Sequence, residues 1–251
     1  MINTKSFYLT DTGRVREHNE DSVTILKNMN GEYLLVVADG MGGHRKGEVA
    51  SALTVTHLGK RFTESASIGT KIDAVNWLSD NINEINREIL DYGEKNENSK
   101  GLGTTVVAAI VTKEFLIFAN IGDSSGYVMK NNKLHRVTKP HTLVNLLVDA
   151  GDLTEEQAKT HPKKNVLMKA LGAAEKAEPD IFDVDNGSTE VFLCSDGVTS
   201  LLNDDQIEKV LLETNLTVEE KVIKLIKKCN ARGGTDNISI AYLVRESGDL
   251  A

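Results

Sequence analysis

The sequence predicts an α+β protein in which two antiparallel sheets pack together between layers of helices. Three observations carry this expectation. Apolar strands follow one another as hairpins, 104–111 with 115–121 and 127–130 with 133–137. The first pair is apolar on both faces, so one face needs cover from a second sheet and the other from helices. Helices come in pairs and do not alternate singly with strands, which disfavours a doubly wound parallel sheet.

Residues 5–10, 22–27 and 33–38 read as the first strands. A helix over about 47–61 carries Val49, Ala52 and Leu53 on one face. A second, over about 71–92, places Ile72, Val75, Leu78, Ile82, Ile85 and Ile89 at spacings of three and four, an amphipathic stripe. The polar stretch 93–101 is a surface loop leading into the first hairpin. Thr112-Lys113-Glu114 turns that hairpin, and Asn131-Asn132 turns the next. Short helices over 142–150 and 154–161 follow, the second opened by the capping box Thr154-x-x-Gln157. An apolar strand from Val191 to Cys194 leads into Ser195-Asp196-Gly197. Helices over 204–213 and 218–232 come next; Thr217-x-x-Glu220 caps the second, and Gly233-Gly234 stops it. Residues 236–244 close as a strand.

Composition narrows the function classes. The chain has 251 residues, 3 Pro, and no repeat or Ser/Gly-rich linker, so one domain over 1–251 is expected. Its net charge of −8 argues against a nucleic-acid or anionic-membrane partner. No apolar run approaches the roughly 18–20 residues of a membrane span. The start, Met1-Ile2-Asn3-Thr4-Lys5, lacks the apolar stretch of a secretory signal, so a cytoplasmic location is expected. Cys194 and Cys229 read as reduced core thiols rather than a disulfide. Nothing points to an obligate oligomer, so a monomer is expected.

Acidic residues recur beside small or turn residues at strand ends: Glu20-Asp21, Asp39-Gly40, Gly122-Asp123-Ser124, Asp196-Gly197 and Asp236-Asn237. Each alone reads as a turn residue. Brought to one end of a sandwich, they would repel one another unless hard cations such as Mg²⁺ or Mn²⁺ neutralised them. A Gly after the strand-end Asp allows a sharp turn and the approach of a ligand. Histidines and cysteines are not spaced for zinc. Arg16 fits two readings: a clamp for an anionic substrate, or a surface residue paired with Glu17 or Glu20. Asp39-Gly40-Met41-Gly42-Gly43-His44 joins a strand to a helix, but it lacks the Gly-x-Gly-x-x-Gly or Gly-Lys-Ser/Thr pattern of a nucleotide loop. No Cys-based phosphate loop or Ser/His/Asp arrangement is present.

Arg16-x-x-Asn19-Glu20-Asp21, Asp39-Gly40-Met41-Gly42-Gly43, Gly103-Thr104-Thr105, Gly122-Asp123-Ser124, Ser195-Asp196-Gly197 and Gly234-Thr235-Asp236-Asn237 occur in the order of the PPM family. The chain thus resembles the type 2C, metal-dependent Ser/Thr protein phosphatases, in their bacterial branch. The resemblance implies a four-layer αββα sandwich, two central antiparallel sheets flanked by helix pairs. It implies two core Mn²⁺ or Mg²⁺ ions and a third. Asp39 would bridge the core pair with the Gly40 carbonyl on one ion. Asp196 and Asp236 would bind the other, and Asp123 with Asp196 the third. Glu20, Asp21 and Asn237 would act from the outer shell, and Arg16 would hold the substrate phosphate. Residues of about 142–165 match a variable flap, where Lys163 and Lys164 either meet acidic phosphosegments or form a solvated basic pair. The implied reaction is hydrolysis of phosphoserine and phosphothreonine on proteins by a water shared between two ions. The implied partners are a Ser/Thr kinase and its targets. Ser125, Pro140-His141-Thr142 and Lys169 depart from the family pattern, as does Met41, where animal relatives carry a His proposed as general acid; His44 is a nearby alternative.

Overall fold

The computed structural model describes residues 4–42, 47–96, 99 and 101–245. His44 lies outside them. One sheet has the order β1-β11-β10-β7-β8, formed by Thr4–Asp11, Ile238–Arg245, Glu190–Cys194, Ser125–Lys130 and Lys133–Arg136. The other has the order β2-β3-β5-β6-β9, formed by Asp21–Lys27, Tyr33–Met41, Val106–Val111, Leu116–Ile121 and Asp180–Val184. The short β4, Gly103–Thr104, pairs with the end of β3. All named pairings are antiparallel, as expected.

Strand alternation divides the core into layers. Leu35 and Val37 of β3 face the other sheet, meeting Val191, Leu193, Ala241 and Leu243. Leu34 and Val36 point the opposite way, toward helices α1 (Gly47–Glu64) and α2 (Lys71–Lys95). On the far side, Phe192, Ile240 and Tyr242 pack against α6 (Asp204–Leu211) and α7 (Val218–Ala231). Helix, sheet, sheet, helix is the resulting order, matching the expected αββα sandwich.

Local chemistry sets the boundaries. Asn131 and Asn132 take φ of 53° and 57°, the left-handed pair that a tight hairpin turn needs. The predicted capping boxes at Thr154 and Thr217 are formed, and two further ones open α2 at Thr70 and α6 at Asn203. The short helices α3 (Leu143–Asp149) and α4 (Glu155–Thr160) lie between β8 and β9. A one-turn helix, α5 (Asp196–Thr199), begins at Asp196. It was not foreseen, and neither was β9.

Two helix faces differ from the expectation. Ile72 is 72% exposed. At 100° per residue it sits about 120° off the buried stripe of Ala74, Leu78, Ile82, Ile85 and Ile89. In α1, Ala52 is exposed, while Val49 and Leu53 are half-buried and pack against the edge of the core. The buried face is Gly47, Ala50, Ser51, Thr54, Leu58 and Phe62. Close helix–sheet contact requires small residues there; a Cβ on Gly59 would stand 2.6 Å from Leu26 Cδ1. Apolarity was therefore a poor guide to that face.

Candidate metal centre

The acidic strand ends meet at one end of the two sheets. Asp21 opens β2 directly opposite Asp39 near the end of β3. Asp196 follows β10, and Asp236 precedes β11, strands paired as far as Cys194 and Ile240. Asp123 lies in the turn from β6 to β7. Asp39 lies close enough to feel the charges of Asp21, Asp196, Asp123 and Asp236.

Glycine lets these segments approach one another. A Cβ on Gly197 would stand 1.9 Å from the Asn237 carbonyl oxygen. One on Gly40 would stand 2.2 Å from the Gly47 carbonyl oxygen and 2.5 Å from that of Glu20. The Asp-Gly pairs thus serve backbone-to-backbone packing, where the sequence suggested room for a ligand.

Side-chain hydrogen bonds then brace the carboxylates. Asn237 Oδ1 accepts the Glu20 N–H at 2.9 Å, and its Nδ2 donates to the Thr12 and His18 carbonyls at 2.9 Å each. This ties the loop holding Arg16 to the start of β11. The Ser195 hydroxyl accepts the Ser239 N–H at 3.0 Å and donates to Asp21 Oδ2 at 2.8 Å, joining the sheets. The turn at Asp123 is held by His141, whose Nδ1 accepts the Gly122 N–H at 3.1 Å and whose Nε2 faces Asp180 Oδ2 at 3.1 Å. Sequence reasoning left Ser195 and His141 without roles. Their signal was a hydroxyl beside a strand-end Asp and a His in a short motif, neither of which reveals a partner far along the chain.

Burial, with like charges added, holds these groups toward their neutral forms. The Asp21 carboxyl is pushed up to about 7 by burial, against the pull of the Ser195 and Ser239 hydroxyls. Asp123 is pushed up to about 7 by burial and then by Asp196. Burial, followed by four neighbouring carboxylates, raises Asp39 well above the usual range. Asp196 is raised by burial and then by Asp236, while Arg16 pulls it back. Arg16 pairs with neither Glu17 nor Glu20: its Nη2 donates to Asp236 Oδ2 at 2.8 Å, with half the side chain exposed.

The donor set suits hard divalent cations. All the converging donors are oxygens, and the buried Asp21 Oδ1 has no hydrogen-bond partner. Among the described residues, no three His, Cys, Asp or Glu side chains close into a metal-holding group by themselves. Cys194 and Cys229 are buried and unlinked, and burial pushes both thiols up, which excludes either as a nucleophile. Ser125 is buried with its hydroxyl 3.4 Å from the Asp123 carbonyl, and Lys169 pairs with Asp180 at 3.3 Å. Lys163 and Lys164 are exposed.

A sandwich with an oxygen-lined acidic centre across both sheets defines a class of metal-dependent hydrolase scaffold. The profile of the protein phosphatase 2C family matches residues 12–231, and the chain belongs to that family. A serine/threonine phosphatase stp from Listeria welshimeri is 40% identical over 239 residues, covering 95% of this chain and 94% of its own length. The crystal structure of the serine/threonine phosphatase Stp1 from Staphylococcus aureus superposes with a TM-score of 0.90 at 35% identity, covering 98% of this chain and 96% of that one. The catalytic domain of the phosphatase PstP, solved in complex with two manganese ions, has a TM-score of 0.82 at 31% identity, covering 96% and 98%.

Proposed function

We propose that this protein is a metal-dependent protein serine/threonine phosphatase that hydrolyses phosphoserine and phosphothreonine. The observation that carries the reading is the meeting of five aspartates from both sheets beside a half-exposed arginine. In this reading Asp39, Asp196 and Asp236, with the Gly40 carbonyl, hold two Mn²⁺ or Mg²⁺ ions. Asp123 with Asp196 holds a third. Glu20, Asp21 and Asn237 orient the surrounding waters. When bound, such ions supply Lewis acidity and a water acidic enough to attack phosphorus near neutral pH.

The chain's own groups do the rest. Arg16 leaves Asp236 to take two phosphoryl oxygens of the substrate through parallel N–H bonds. Asp123 would have to be ionised to hold a cation, because a ligating carboxylate must be, and the nearby positive charge would favour the ionised form of Asp21 as well. The flap over about 142–165 contributes to the choice of phosphoprotein. The fitting partners are a Ser/Thr kinase and its targets, met by a monomer in the cytoplasm. Among the described residues no helix is long and apolar enough to cross a membrane.

The test is release of phosphate from a phosphopeptide with Mn²⁺ present. Asp39→Asn and Asp236→Asn should each abolish turnover while far-UV circular dichroism is retained. Manganese-dependent turnover surviving in both variants would overturn the reading.

A further inference from the structure

The Gly103-Thr104-Thr105 motif has no role in the scheme above, yet it lies against its central carboxylate. The β3–β5 register continues through Gly40 opposite Thr104, so Asp39 falls opposite Thr105. In a regular narrow antiparallel pair, two such residues exchange both main-chain N–H···O bonds. Here only one is made: the Thr105 N–H donates to the Asp39 carbonyl at 2.8 Å. The Asp39 N–H instead donates to the Thr105 hydroxyl at 3.0 Å. The Thr104 hydroxyl, with one proton to give, lies 2.9 Å from both the displaced Thr105 carbonyl and the Asp39 carbonyl. A side chain has replaced main chain at the residue before Gly40.

That hydroxyl has a second partner. Thr105 Oγ1 lies 2.8 Å from Ser124 Oγ, and both residues are fully buried. Ser124 follows Asp123. On the other side of Asp123, Gly122 has a φ of +106°, and a Cβ there would stand 2.6 Å from Thr105 Cβ. The end of β3 at Asp39 and the Asp123 turn that follows β6 therefore fasten on one residue, Thr105, at the open end of the β5–β6 hairpin.

We propose that Thr105 is a positioning residue whose hydroxyl sets the spacing between the carboxylates of Asp39 and Asp123. The inference rests on the reading that both carboxylates hold divalent cations. Without the hydroxyl, the Asp39 amide and Ser124 lose a buried partner, and the two acidic segments can drift apart. A displacement of a few tenths of an ångström matters to small cations with strict oxygen geometry.

Calorimetric titration with Mn²⁺, well below the melting temperature, tests this. Thr105→Val keeps the branched shape and should weaken Mn²⁺ binding about tenfold, the scale of one buried neutral hydrogen bond. Thr105→Ser keeps the hydroxyl and should restore wild-type affinity. Ser124→Ala removes only the partner on the Asp123 side and should also weaken binding; it carries the test if Thr105→Val does not fold. Thr54→Val, which deletes a buried hydroxyl bonded only within α1, to the Ala50 carbonyl, should leave Mn²⁺ affinity unchanged. Wild-type affinity in Thr105→Val or Ser124→Ala overturns the inference, as does a Thr105→Ser variant as weak as Thr105→Val. A wild-type protein that takes up no Mn²⁺ overturns the metal-dependent reading itself.

Discussion

Arg16 is the residue whose partner changed most between sequence and structure. The sequence left it either a clamp for an anionic substrate or a partner of Glu17 or Glu20, but Arg16 reaches 220 positions along the chain to Asp236. The guanidinium therefore sits against the acidic centre, and under the proposed reading substrate phosphate would compete with a carboxylate for it. Arg16→Ala should raise the KM for a phosphopeptide by about 10- to 100-fold, the scale of a lost charge-assisted pair. Mn²⁺ affinity should hold or tighten in this variant, because a positive charge beside Asp196 and Asp236 has been removed. Steady-state kinetics with parallel Mn²⁺ titration separates the two effects, and an unchanged KM would remove Arg16 from the substrate site. All five aspartates were legible in the sequence, because Asp at a strand end beside Gly or another small or turn residue is conspicuous. Ser195, Thr105 and His141 were not, because a hydroxyl or imidazole carries no mark of its distant partner.

Among the elements, the decisive contact is that of β10 and β11 just beyond their paired residues. Gly197 lies under the Asn237 carbonyl, so Gly197→Ala must push apart the segments carrying Asp196 and Asp236. We expect a loss of roughly 2–4 kcal/mol, in the range of core overpacking or more, and weaker Mn²⁺ binding. Chemical denaturation measures the first and calorimetry the second. The helix ends offer a contrasting case. Thr70 and Asp73 form a reciprocal capping box at α2, remote from the centre. Thr70→Ala should cost about 1 kcal/mol, lowering the melting temperature by ~3 °C, with kcat unaffected. Most strands and helices followed from apolar period and turn residues. β9 did not, because its side chains are half-buried or exposed and it lies at a sheet edge.

For the whole molecule, the acidic centre links stability, pH and metal. Asp21 and Asp123 have their carboxyls raised to about 7 from ordinary values near 4. Without cations the folded state thus binds more protons than the unfolded chain between those limits. The contribution is fully present below pH 4 and is lost as pH rises through about 7. The metal-free protein should therefore lose stability from these groups between about pH 4 and 7. Divalent cations, which bind the ionised carboxylates, should restore it. Scanning calorimetry with EDTA or Mn²⁺ at pH 5.5 and pH 8 checks this: the gain from Mn²⁺ should be larger at pH 8, and an equal gain at both would contradict the linkage. By itself the sequence determined the alternation that splits strands between two interfaces, the capped helices and the acidic strand ends, because these are local properties of period and residue type. Only the tertiary structure decided that the strand ends meet, that Arg16 faces Asp236 and that Thr105 spans Asp39 and Ser124. Those contacts join segments distant along the chain, and their closeness follows from how the two sheets stack and where glycine lets backbones touch.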